Sequence, residues 1–167
     1  MPQKIDVTRV LNYALQMEKT GREFFVENSK KFSHGAVTGI FEQLALEEEK
    51  HIDFLKTLIA GASKGQEVSV NEAFRKRTGD FFSLRADSEK LDQTVLESMI
   101  PACTVLRTAY LIERDFAEFY EGVAKKTDGK LREALLMLAR WERGHEKFIQ
   151  GTHDRLFDQY IQMPWGG

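Results

Sequence analysis

The sequence predicts an all-α protein, a four-helix bundle made of two duplicated helical hairpins with a long crossover between the second and third helices. Four stretches repeat apolar residues at alternating spacings of three and four, which is the period of one buried face of an α-helix. The second half of the chain repeats the pattern of the first, as expected for a duplicated unit. Residues 61–91, between the halves, lack this pattern, and a connection of this length is typical of a bundle with one crossover.

We expect a single domain over residues 1–167, because a chain of this length can bury one substantial core. Asp6 or Thr8 is expected near the N-cap of the first helix. Gly61 and Gly65 are expected to end the second helix, and Pro101 is expected to bend or restart the third. A short helix is expected inside the crossover, over residues 72–77. The four long helices are predicted over residues 6–31, 37–60, 92–126 and 130–159.

The composition argues against several classes of partner. The net charge is −2, so nothing favours binding to nucleic acid or to an anionic membrane. No apolar run approaches the roughly 20 residues that span a bilayer, and the first residues contain no signal-peptide core. Cys103 is the only cysteine, which excludes an intrachain disulfide and a cysteine-ligated iron site. We therefore expect a cytoplasmic location.

Two Glu-x-x-His motifs carry the chemical signal, Glu48 with His51 and Glu142 with His145. Residues three apart lie on one face of a helix, so each motif presents a carboxylate and an imidazole to one point. Both motifs fall on the apolar stripe of their helix, the side that faces the bundle core. A buried carboxylate costs several kcal/mol unless it is paired or bound to a metal. The motifs therefore indicate a buried cation site.

The other two helices carry one glutamate each at the matching height. Glu18 and Glu113 are equivalent in the repeat, and each lies on the buried stripe of its helix. Four carboxylates and two imidazoles suit two divalent ions, and oxygen and imidazole ligands favour iron, manganese or zinc. We predict a site for two metal ions, iron first, with manganese and zinc as alternatives. Its six predicted ligands are Glu18, Glu48, His51, Glu113, Glu142 and His145.

This pattern resembles the ferritin-like di-iron carboxylate superfamily, and the rubrerythrin branch most closely. The matching residues are Glu18 with Phe25, Glu48 with His51, Glu113 with Tyr120, and Glu142 with His145. The resemblance implies a non-haem di-iron oxidoreductase, a peroxidase or oxidase that reacts with hydrogen peroxide or O₂ in oxidative-stress defence. It also implies that Glu48 and Glu142 bridge both metals, while each remaining ligand binds one.

The chain departs from the rubrerythrin pattern in two ways. It lacks the cysteines of a rubredoxin module, so an external electron donor is expected. It also has Phe116 where that branch carries a further carboxylate, three residues after Glu113. A ferroxidase or iron-handling protein and a metal-binding bundle without turnover therefore stay open as alternatives. We expect a homodimer, and the crossover is a candidate for exchange between protomers.

Further residues near the predicted ligands allow narrower expectations. Tyr110 precedes Glu113 by three residues and is predicted to donate a hydrogen bond to a metal ligand. Gly21 and Gly144 either leave room for a small oxidant or permit close helix packing. Glu47 is expected to face solvent.

Overall fold

The computed structural model describes residues 6–32, 35–64 and 99–164. Within these residues the chain forms four α-helices and no strand, so the predicted all-α bundle is confirmed. The predicted short helix over 72–77 and the start of the third helix over 92–98 lie outside the described residues. The helices are α1 (Val7–Ser29), α2 (Gly35–Ser63), α3 (Met99–Ala124) and α4 (Gly129–Ile161).

The helix ends follow local chemistry, with one correction. Asp6 caps α1, because its carboxylate accepts a hydrogen bond from the Arg9 amide at 3.0 Å. The prediction that Gly61 ends the second helix is wrong, since α2 continues to Ser63. Ala62 packs against the apolar core, which favours the extra turn. Gly129 begins α4 at φ 60°, a conformation that favours glycine, so the chain can turn sharply out of α3.

The helices pack as two antiparallel hairpins. Helix α1 packs along α2 and α3 packs along α4, while α1 also contacts α3. In the described part of the chain, no helix is both long and apolar enough to cross a membrane.

The core consists of two apolar clusters, one towards each end of the bundle. The first contains Phe25, Phe41, Leu44, Leu106 and Ile149, all fully or almost fully buried. The second contains Leu11, Leu55, Leu58, Leu135 and Leu138, buried to the same degree. Each helix contributes to both clusters and carries its predicted polar ligand positions between them. The packing therefore places a layer of buried glutamates and histidines at mid-height, between two apolar layers.

Candidate metal centre

All six predicted ligands meet in this buried polar layer. Four helices contribute, and the exposed fraction is 2% for His145 and 0% for the other five. Their potential ligand atoms form two groups of four, each with all atoms within 4.8 Å of one another. One group is Glu18, Glu48, His51 and Glu142, and the other is Glu48, Glu113, Glu142 and His145. Glu48 and Glu142 belong to both groups.

The two shared glutamates divide their oxygens between the two histidines. His51 Nδ1 lies 3.3 Å from Glu48 Oε2 and 2.8 Å from Glu142 Oε1. His145 Nδ1 lies 3.6 Å from Glu48 Oε1 and 3.3 Å from Glu142 Oε2. Each shared carboxylate therefore turns one oxygen towards each imidazole, which is the arrangement required of a ligand that bridges two ions.

Each of the other glutamates lies beside one histidine. Glu18 Oε2 is 3.3 Å from His51 Nδ1, and Glu113 Oε2 is 3.5 Å from His145 Nδ1. The two halves of the repeat thus form two similar sets of donors that face each other across the shared carboxylates.

The cluster has more acceptors than donors. Both carboxylate oxygens of Glu48, Glu113 and Glu142 are buried and lack an aligned hydrogen-bond donor within the described part of the chain. The 2.8 Å contact between His51 and Glu142 is an ion-pair distance without that alignment. Buried carboxylates in this state are costly unless a cation compensates them. The donor set and its unsatisfied oxygens therefore fit two divalent ions.

Proton affinities in the cluster are strongly perturbed. Burial raises the pKa of Glu48 well above its usual range, and the carboxylates of Glu18 and Glu142 raise it further. Burial also raises the pKa of Glu113, assisted by Glu48 and Glu142. Without a cation, protons on these two carboxyls lower the negative charge of the layer. Metal binding must displace them.

The pKa values of His51 and Glu142 shift in opposite directions. Burial alone would lower the pKa of His51, but Glu142, Glu48 and Glu18 raise it well above its usual value. Burial would raise the pKa of Glu142, but His51 and His145 hold it below its usual range. In the absence of a cation, these shifts favour a protonated His51 beside an ionised Glu142.

Tyr120, and not the predicted Tyr110, donates a hydrogen bond to one of the predicted ligands. The hydroxyl of Tyr120 donates a hydrogen bond to Glu18 Oε1. Burial, followed by the charge of Glu18, raises the pKa of Tyr120 well above its usual value, so the phenol keeps its proton. Tyr110 instead packs edge-on against His153, with ring centroids 5.6 Å apart, and beneath the Arg114 guanidinium at 5.8 Å. A hydroxyl on the buried stripe of α3 is the sequence signal that points to Tyr120, because a buried phenol needs an acceptor.

An aromatic stack fixes the imidazoles. The rings of His51 and His145 stack with centroids 5.3 Å apart, and the indole of Trp141 stacks on His51 at the same distance. Phe54 packs edge-on against Trp141 at 5.4 Å. These contacts restrict rotation of the His51 ring, which keeps Nδ1 directed at the carboxylates.

An ion-pair network next to His145, centred on a buried glutamate, was not predicted. Glu146 is 7% exposed and accepts hydrogen bonds at 2.7 Å from both Arg114 and Arg143. Arg143 also binds both oxygens of Glu121 at 3.0 Å. Burial would raise the pKa of Glu146, but the two arginines hold it below its usual range. The network ties α3 to α4 beside the metal-binding positions.

The remaining expectations concern the burial of Glu47 and the space around Gly21 and Gly144. The expectation that Glu47 faces solvent is wrong, since it is 3% exposed and accepts a hydrogen bond from Lys50 Nζ at 2.7 Å. A Cβ atom at Gly21 would lie 3.0 Å from Phe116 Cε2, so this glycine permits close helix packing. A Cβ at Gly144 would meet no atom within 4 Å, among the residues that the structure describes. Packing therefore requires a glycine at position 21 and not at position 144.

The fold and the site define a class of protein, a four-helix bundle with a carboxylate–histidine cluster in its centre. The sequence matches the family described as "Ferritin-like domain" over residues 6–155, and the chain belongs to this family. Comparisons with curated proteins and with solved structures found no match. The predicted ferritin-like fold is confirmed, and the assignment to the rubrerythrin branch stays a prediction.

Proposed function

We propose that this protein is a rubrerythrin-like, non-haem di-iron oxidoreductase that reduces hydrogen peroxide or O₂ and serves in oxidative-stress defence. One observation carries the proposal: Glu48 and Glu142 each turn one oxygen towards His51 and the other towards His145. A single-ion site has no use for this arrangement, whereas a pair of ions bridged by two carboxylates requires it.

The two groups of residues assign the ligands. Glu18 and His51 would hold one ion, Glu113 and His145 the other, and Glu48 and Glu142 would bridge the pair. Iron is proposed in preference to zinc because the reaction needs a redox-active ion. When bound, two ferrous ions supply the two electrons that, with two protons, convert hydrogen peroxide into two molecules of water.

The chain's own residues position the ligands and exclude water. Tyr120 stays protonated, and its hydroxyl donates a hydrogen bond to Glu18 Oε1, which fixes that carboxylate. The stack of Trp141 on His51 fixes the imidazole. The apolar clusters on either side of the polar layer keep bulk water away, so charges in the layer interact strongly.

Electrons must come from outside the described site. Cys103 is the chain's only cysteine, and burial raises the pKa of its thiol, which makes it a poor redox partner. We therefore propose an external one-electron donor. We also propose that the protein is a homodimer and lies in the cytoplasm. Sizing in solution tests the oligomeric state, and a 24-subunit shell would favour iron storage instead.

Anaerobic mixing tests the proposed reaction. Protein loaded with ferrous iron and desalted is mixed with hydrogen peroxide, and the absorbance and the iron oxidation state are followed. We expect rapid oxidation of both ions in each chain. An unchanged oxidation state would show that the ions only stabilise the bundle. In a separate aerobic experiment with excess ferrous iron, continuing oxidation of that iron by O₂ would favour the ferroxidase alternative.

A further inference from the structure

An apolar groove runs between α1 and α3 on the surface of the bundle. Its volume is about 360 Å³, within the range of about 300–1,000 Å³ that is usual for small-molecule sites. Met17 and Phe24 of α1 and Ile112 and Phe116 of α3 form its apolar walls. The groove is therefore large enough for an organic molecule.

The inner wall of the groove adjoins the metal centre. Gly21 and Phe116 line it, and they follow Glu18 and Glu113 by three residues, on the same faces of α1 and α3. The Phe116 ring packs directly on Gly21, where a Cβ would approach its Cε2 atom to 3.0 Å. The groove thus ends about one helical turn from two of the predicted ligands.

The chemistry of the walls selects an apolar occupant. Among the described residues that line the groove, none is charged. The polar side chains of Gln16 and Thr20 are exposed, and the Thr20 hydroxyl already donates to the Gln16 carbonyl at 3.0 Å. Hydrogen peroxide is polar and gains little binding free energy here. An alkyl or aryl group, by contrast, is removed from water, which favours its binding.

We propose that this groove binds the apolar group of an organic hydroperoxide, ROOH, in which R is alkyl or aryl. The inference rests on the proposed function and names its substrate class. The O–O bond breaks as ROOH takes up two electrons and two protons and yields the alcohol ROH and water. The electrons would come from the two ferrous ions that the six predicted ligands would hold, as in the reduction of hydrogen peroxide, and the protons would come from solvent.

A matched pair of variants tests the site by binding alone. Ile112→Trp fills the groove, whereas Leu111→Trp adds the same side chain at the neighbouring, 37% exposed position, which does not line it. The probe is 2-phenyl-2-propanol, the alcohol formed from cumene hydroperoxide, titrated calorimetrically into metal-free protein. We expect saturable binding to wild type and Leu111→Trp, and about tenfold weaker binding to Ile112→Trp. Equal binding to both variants, or no saturable binding to wild type, overturns the proposal.

A kinetic comparison separates this inference from the proposed function. In single-turnover mixing of ferrous-loaded protein, we expect the ratio of the second-order rate constant for cumene hydroperoxide to that for hydrogen peroxide to fall about tenfold in Ile112→Trp. Leu111→Trp should keep the wild-type ratio. If hydrogen peroxide is reduced but the ratio is the same in all three proteins, the groove has no role in selection and the inference fails alone. If neither peroxide reacts but the alcohol binds as expected, the proposed function fails and the binding site stands.

Discussion

The hydroxyl of Tyr120 on α3 donates a hydrogen bond to Glu18 on α1, between residues 102 positions apart in the chain. This contact breaks the symmetry of the repeat. The position equivalent to Tyr120 in the first half is Phe25, which has no hydroxyl. Correspondingly, neither oxygen of Glu113 has an aligned hydrogen-bond donor among the described residues. The two metal-binding positions are thus unequal, and the one that contains Glu18 is better organised.

Removing the Tyr120 hydroxyl should therefore weaken metal binding. We expect Tyr120→Phe to lower the affinity for the more tightly bound ion by about tenfold or more, because an unsupported carboxylate must be ordered by the metal itself. Competition with a coloured chelator measures this affinity. Tyr110→Phe is the control, since the Tyr110 ring contacts His153 and Arg114 instead. A larger loss in Tyr110→Phe than in Tyr120→Phe would contradict the role given to Tyr120.

The metal-free protein should lose stability as the pH rises. Glu48 and Glu113 have raised pKa values in the folded state, so above the ordinary value of 4.5 the folded chain holds protons that the unfolded chain releases. His51, with a pKa raised above 6.5, acts in the same direction. The free energy of unfolding therefore falls with increasing pH. We expect Tm in the presence of chelator to decrease between about pH 5.5 and about pH 8.

Two comparisons check the origin of this pH dependence. The double variant Glu48→Gln/Glu113→Gln should show a flatter dependence of Tm on pH, because an amide cannot titrate. Metal-loaded wild type should behave in the opposite way, since the ions replace protons and bind more tightly as the pH rises. A metal-free protein that gains stability over this range would show that Glu48 and Glu113 are already ionised.

The contact between Gly21 and Phe116 should appear as an energetic coupling. A methyl group at position 21 would press on the Phe116 ring, so we expect Gly21→Ala to destabilise the protein by about 1 kcal/mol in spite of the better helix propensity of alanine. In Gly21→Ala/Phe116→Leu, the smaller side chain should make room for the methyl group. Chemical denaturation should then give a coupling free energy of about 1–2 kcal/mol between the two positions.

Gly144→Ala is the matched glycine control. A Cβ at this position meets no described atom within 4 Å, so only the helix propensity changes. We expect a gain of about 0.5–1 kcal/mol in the free energy of unfolding of the metal-free protein. If both glycine variants are stabilised and no coupling is found, the packing explanation for Gly21 is wrong.

The ion-pair network beside His145 should contribute measurably to stability. Arg143→Met keeps an apolar stem but removes two hydrogen bonds to Glu121 and one to the buried Glu146. We expect a loss of about 1–2 kcal/mol in chemical denaturation, mainly because Glu146 stays buried with one cation fewer. Lys56→Met removes an exposed pair with Asp53 and should leave stability almost unchanged. Similar losses in both variants would show that the network has no special role.

The fold and the convergence of the six polar residues could be predicted because both depend on helical period and repeat. Glu18, Glu48 and Glu142 lie on apolar stripes, and the period of a helix leaves them no other direction than the core. Duplication then places both Glu-x-x-His motifs at the same height.

Contacts between helices could not be predicted in the same way, because they depend on the rotation and approach of whole helices. The period put both Tyr110 and Tyr120 near Glu113 on α3, but only packing against α1 brings Tyr120 to Glu18. Glu146 is buried by Arg114 and Arg143, two cations whose position no local pattern reveals.

Metal content per chain tests the central claim most directly. Wild type, His51→Ala and His153→Ala are loaded anaerobically with ferrous iron and desalted. His153 is the control, because its Nδ1 pairs with Asp154 at 2.9 Å and it belongs to neither group of candidate ligands. We predict about two ions per chain in wild type and in His153→Ala, and about one or fewer in His51→Ala. Less than about half an ion per chain in wild type, or equal retention in all three proteins, would contradict a dinuclear centre at these residues.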